Sequence, residues 1–74
     1  MNLDKEVSEG WTVGDFIGEL EPQFDMIMTN GSWQKAFTSK VEVKEWCKDN
    51  QPFYKKNIPD VVNYFWNKVE AKYV

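Results

Sequence analysis

Cys47 is the one cysteine of the chain, and histidine is absent. A thiol nucleophile needs a base or a cationic neighbour to hold it as thiolate, and this sequence offers Cys47 no imidazole. Its spacing puts it beside Trp46 on the inward side of a helix, so the expectation is a buried, inert thiol. A zinc centre needs several Cys or His ligands, which one cysteine cannot supply. Asp15 and Glu19 stand one helical turn apart, as do Glu21 and Asp25. Two such pairs could hold a hard cation loosely, yet nothing around them matches a calcium loop; a solvated acidic face is the expectation. Gly10, Gly14 and Gly18 recur every four residues without the Gly-Lys-Ser/Thr of a phosphate loop. They read either as a strip for close approach or as local flexibility. The stretch Gln51-Pro52-Phe53-Tyr54-Lys55-Lys56-Asn57 mixes rings with lysines. Such a mixture can stack on single-stranded bases or form a protein interface.

The elements that would position these residues are helical. Thr12 with Asp15 three residues on is close to a capping box. Val13, Phe16, Ile17, Leu20, Phe24, Ile27 and Met28 then follow helical spacing. At ~100° per residue they fall within about 60° of one line. Pro22 lies on the opposite face, so the pattern predicts a helix over roughly 12–28 that bends or breaks near Glu21-Pro22. Gly31 is free to take a left-handed cap. The competing pattern is a hairpin around Asn30-Gly31, although neither flank alternates cleanly. Residues 32–38 form a connector pinned by Trp33 and Phe37. Ser39 and Glu42 have the spacing of a capping box and open a second helix with Val43, Trp46 and Cys47 on one face. Asn50 is expected to cap a short turn over Pro52–Lys56. Pro59 and Asp60 suit the first turn of a last helix, whose core face reads as Ile58, Val62, Phe65, Trp66, Val69 and Tyr73. On that phase Val61 lies on the flank and Tyr64 on the opposite, polar side.

Seventy-four residues at 8.8 kDa hold one domain. The area scaling of folded chains gives about 4,800 Å² of surface, with roughly 60% of the unfolded area buried. Hydrophobic residues make up 42% of the chain, which excludes disorder. Twelve aromatics against two leucines imply a core built from rings, with some rings left at the surface. All nine basic residues are lysine, and bidentate reading of guanine or phosphate is mostly arginine work. The net charge of −3 also opposes generic nucleic-acid binding. The charge is split: residues 1–31 carry seven acids and one lysine, a net −6, and residues 32–74 carry a net +3. Internal complementarity explains such a split, and so do two different surfaces. Neither a secretory signal nor a bilayer-spanning run is evident, so the expected location is the cytoplasm.

The run from Glu45 through Gln51-Pro52-Phe53-Tyr54-Lys55-Lys56 to Phe65, with Phe24-Asp25-Met26-Ile27 and Ser32-Trp33-Gln34, resembles short, functionally uncharacterised proteins of phages and mobile elements of low-GC Gram-positive bacteria. The resemblance covers about residues 12–73. It implies an accessory role and assigns no site residue.

The expected fold is all-α: a small single-domain bundle of three main helices plus a short helical turn. Residues 1–11 are expected to form a flexible acidic arm, and 12–74 the domain. The expected function is a non-enzymatic protein-interaction module, an accessory or inhibitory factor with no cofactor and no membrane. Its partner is expected to be a protein met by Phe53, Tyr54, Lys55, Lys56 and Tyr64. The alternatives are a nucleic-acid-associated regulator using the lysine-bearing half, and an acidic nucleic-acid mimic.

Overall fold

The computed structural model describes residues 2–73; Met1 and Val74, the outer ends of the expected arm and domain, lie outside the described residues. Thr12 is extended and caps the first helix, α1 (Val13–Thr29). The Asp15 N–H donates to Thr12 Oγ1 at 3.2 Å, and the Thr12 N–H donates to Asp15 Oδ2 at 2.9 Å. This is the reciprocal box that the spacing predicts. α1 buries Val13, Phe16, Ile17, Leu20, Phe24 and Met28. It runs unbroken through Pro22, so the expected break does not occur. Pro22 is exposed, as is Gly18, whose carbonyl would have received the missing N–H; water can satisfy it there. At the far end Asn30 donates its N–H to Met26 O, and Gly31 follows with φ +84°. Asn30 Oδ1 then accepts from the Ser32 N–H and hydroxyl. The turn leads into a one-turn helix, α2 (Trp33–Ala36), and not into the second arm of a hairpin.

α3 (Lys40–Asn50) buries Val43 and Cys47, with Trp46 half-buried. Ser39 stands at its N-cap, but its side chain makes no capping bond, so the predicted box is absent. After α3 the chain forms no helical turn over 52–56. Gln51 organises this loop instead. It is 2% exposed, and its Nε2 donates to Lys56 O at 2.6 Å. The short helix of the fold is therefore α2. α4 (Pro59–Tyr73) buries Val61, Val62, Phe65 and Val69, with Ile58 just before it. Its buried arc is rotated from the predicted one: Val61 is fully buried, Trp66 is half-buried and Tyr73 is exposed. The reason is that α4 packs against both α1 and α3, which widens and turns the buried arc.

Residues 6–12 depart from an all-α fold. β1 (Glu6–Ser8) pairs antiparallel with β2 (Trp11–Thr12), and Gly10 at φ +73° makes the turn. This hairpin was not expected from the sequence, which reads as an arm there. Its segment does a specific job at α1. The first N–H groups of a helix have no partner within it. Here the Val13 N–H donates to Lys5 O at 2.9 Å and the Gly14 N–H to Leu3 O at 2.8 Å. A Cβ at position 14 would lie 3.1 Å from Leu3 O, so Gly14 permits this approach. Gly10 and Gly18 have open space, which limits the close-approach reading to one of the three glycines.

The architecture is thus mostly helical with a small strand pair. Its centre is aromatic: Phe24 stacks on Phe37 at 4.9 Å between centroids and meets Phe65 at 4.5 Å and Trp46 at 5.4 Å. The accessible surface, 4667 Å², agrees with the size scaling.

Candidate functional site

Phe53 has φ +41°, the one non-glycine residue with positive φ among the described residues. The Tyr54 N–H turns back to Pro52 O, closing a three-residue turn around it. The residue is 58% exposed. Its ring meets Trp11 edge-on at 5.2 Å and Phe16 at 5.8 Å. Tyr54 is half-buried and packs on Phe16, also at 5.8 Å. Lys55 Nζ lies 3.4 Å from Gln51 O, and the Lys56 side chain is exposed while its carbonyl holds Gln51. Four of the five predicted partner-binding residues therefore share one loop at the N-terminal end of α1. Two contributors were missed. Trp11 arrives from β2, and Gln51 is the buried anchor of the loop. The sequence signal for Trp11 was its place directly before the Thr12 cap; Gln51 left none beyond its position before Pro52.

Tyr64 belongs elsewhere. Its hydroxyl donates to Glu21 Oε2 at 2.5 Å. Lys68 Nζ lies 2.8 Å from the same carboxylate and 2.7 Å from Asp25 Oδ1. The ammonium also sits 5.7 Å from the centroid of the Tyr64 ring and 6.0 Å from that of Phe24. This cluster joins the middle of α1 to α4. The Lys68 hydrogen bond, then that of Tyr64, holds the Glu21 carboxyl below its ordinary range. The bond to Glu21, aided by burial, raises the Tyr64 hydroxyl. Burial pulls Lys68 down, but its bonds to Asp25 and Glu21 outweigh that and hold it above the ordinary value. Tyr64 is thus tied to α1, and no hydrogen bond or ring contact joins it to the Phe53 loop among the described residues.

Cys47 is 2% exposed, and burial pushes its thiol up to about 12. Asp15 is used by the cap of α1, and Glu21 and Asp25 by Lys68. No cluster of three or more residues suited to holding a metal ion forms among the described residues.

Two shallow grooves flank the segment leading into α4. The first, about 290 Å³, has Lys5 and Val7 on one side and Tyr54, Ile58 and Asp60 on the other. Lys5 and Asp60 meet across it at 3.8 Å. The second, about 260 Å³, lies between α3 and α4 and is lined by Lys40, Lys44, Asn57, Pro59, Val62 and Asn63. Asn57 and Pro59 border both. Among the described residues no helix is long and apolar enough to cross a membrane. Comparison with protein-family models, curated proteins and solved structures finds no match to this chain.

Proposed function

We propose that this chain is a non-enzymatic protein-interaction module that meets its partner through Phe53, with Trp11 and Tyr54 beside it and Lys55 and Lys56 at the rim. The resemblance to phage and mobile-element proteins favours an accessory or inhibitory role. The observation that carries the reading is the backbone of Phe53. Positive φ costs a bulky L-residue about 1–2 kcal/mol, and glycine or asparagine would occupy φ +41° more easily. The buried two-fifths or so of the ring, with its contacts to Trp11 and Phe16, recovers an amount of the same size, while 58% of the residue stays in water. A residue that is strained and exposed at once contributes little to folding. A large rigid ring presented with a lysine rim is what a protein partner can bury at the centre of an interface.

The two alternatives have less support. The acidic-mimic reading loses ground because Lys68 ties up Glu21 and Asp25 and offsets one of their two charges. The nucleic-acid reading lacks arginine and has a net charge of −3 against it. The test is cross-linked capture from a Gram-positive host lysate with the parent, Phe53→Gly and Phe53→Asn. Both variants suit the local backbone and should melt within a few degrees of the parent. A protein retained by the parent and lost by both variants supports the reading. Identical retention by all three, or retention of nothing, refutes it.

A further inference from the structure

We infer that the groove between α3 and α4 is a docking site for an extended acidic peptide segment with one apolar side chain between two carboxylates. The site is distinct from the Phe53 end and extends the interaction reading to a partner of stated chemistry. Lys40 and Lys44 form the α3 wall, while Pro59, Val62 and Asn63 form the α4 wall, with Asn57 at the entrance to α4. Both lysines are exposed, and no carboxylate among the described residues lies within ion-pairing distance of either. Lys40 is the first residue of α3, where the helix dipole favours an acid. Its charge therefore works against its own helix and is available to something outside.

The spacing selects the ligand. Side chains four apart on a helix stand about 5–6 Å apart, and alternate side chains of an extended chain stand about 6.6 Å apart. Two carboxylates separated by one residue thus match Lys40 and Lys44. The residue between them then faces the opposite wall, where Pro59 is exposed and apolar with the buried Val62 behind it. The Asn57 and Asn63 amides can bond the peptide backbone, each having donor and acceptor. A nucleic-acid strand fits less well, because no aromatic ring lines this groove to stack a base.

The test uses the full chain and a fluorescein-labelled Gly/Ser peptide carrying Glu-Leu-Glu, read by anisotropy and by amide chemical shifts. Binding should shift the amides of Lys40, Lys44, Asn57 and Asn63. Peptides carrying Glu-Ser-Glu or Lys-Leu-Lys should bind at least about fivefold more weakly. Lys40→Glu with Lys44→Glu should weaken binding about tenfold, with a Tm near the parent's because an acid suits the first turn of α3 at position 40 and faces Lys48 one turn on at position 44. Phe53→Gly should leave this binding unchanged, so the groove and the Phe53 end stand or fall separately. The inference is overturned by no binding at millimolar peptide, by equal binding of Lys-Leu-Lys, by tighter binding of an oligothymidylate of equal charge, or by shifts confined to the Phe53 loop. Self-association through this face, seen by sedimentation, overturns it as well.

Discussion

Replacing Lys68 with methionine should destabilise the fold by about 1–2 kcal/mol, and by an amount that depends on pH. Methionine keeps the aliphatic stem that lies by Phe24 and Tyr64 and removes the charge. Lys68 makes two ion pairs, at 2.8 and 2.7 Å, with its side chain and that of Glu21 about a third exposed (32% each) and that of Asp25 at 49%. Pairs at such exposure contribute roughly 0.2–1 kcal/mol each. Without the ammonium, Glu21 and Asp25 become like charges one turn apart, which costs a further ~0.2–0.5 kcal/mol. In a domain of this size, ~1 kcal/mol moves Tm by about 4–8 °C, so the loss at pH 7 should be roughly 5–15 °C.

The sign of the pH effect follows from Glu21, whose pKa is depressed by the Lys68 and Tyr64 hydrogen bonds. A depressed carboxyl contributes stability that is present above its unfolded pKa, about 4.3, and lost as pH falls through the lower folded value. Parent and Lys68→Met should therefore differ most near neutrality and converge as the solution is acidified through the depressed Glu21 value. Thermal melts followed by circular dichroism at pH 7, 5, 4 and 2.5 read this directly, with Glu21→Gln and the double variant completing a cycle. Equal Tm at pH 7 refutes the reasoning. A gap that persists undiminished at pH 2.5 also refutes it, because the loss would then come from packing rather than charge.

Phe24→Ala should cost ~3–5 kcal/mol of a total near 4–11 kcal/mol, and Trp46→Ala clearly less because Trp46 is half-buried; urea melts rank the two. Gly18→Ala should raise stability by up to about 1 kcal/mol, since a methyl group there meets open space. Gly14→Ala should lower Tm and expose the Val13 and Gly14 amides to hydrogen exchange, since the new Cβ would press on Leu3 O. Cys47, with its thiol pushed up to about 12, should resist iodoacetamide at pH 8 in the native protein and react fully in denaturant; rapid native alkylation would contradict its burial.

The parts of the fold visible in the sequence are those set by local chemistry. The Thr12–Asp15 box, the left-handed Gly31 and the proline-led start of α4 each need only a few neighbouring residues, and each stands as the spacing implies. The long apolar stripe of α1 also survives Pro22, because the proline points to water. What was hidden depends on distant partners. The hairpin has strands of three and two residues with an irregular register, too short for alternation to show; it is held by carbonyls of Leu3 and Lys5 docking on α1. Gln51 reads as polar surface until the Lys56 carbonyl reaches it. Of the proposed partner residues, Phe53 to Lys56 stay together because they are consecutive. Tyr64 stands apart from them, bonded to Glu21, a partner 43 residues away in the chain that spacing alone does not reveal. A period of ~3.6 marks a helix face but does not say which two neighbours will cover it.

The charge asymmetry between the halves of the chain is satisfied internally only in part, at Lys68 with Glu21 and Asp25. Asp15 closes the cap of α1, Glu21 and Asp25 hold Lys68, and Lys5 reaches Asp60 across the first groove. The acidic half is thus partly neutralised by the basic one and does not present an unbroken anionic face. Among the described residues Lys35, Lys40, Lys44, Lys55, Lys56 and Lys72 have no carboxylate within ion-pairing distance. Lys40 and Lys44 line the groove between α3 and α4, Lys55 and Lys56 follow Phe53 in the loop that leads into α4, and Lys35 and Lys72 lie in α2 and at the end of α4. The segment from Phe53 to Pro59 joins the two sites, since Tyr54 borders the first groove and Asn57 and Pro59 border both. Four of the unneutralised lysines, a strained exposed ring and two grooves therefore lie along or beside this short stretch of chain. A partner with acidic residues around an apolar anchor complements that combination better than a uniformly charged polymer, which would gain from the lysines and leave the ring and the apolar wall unused.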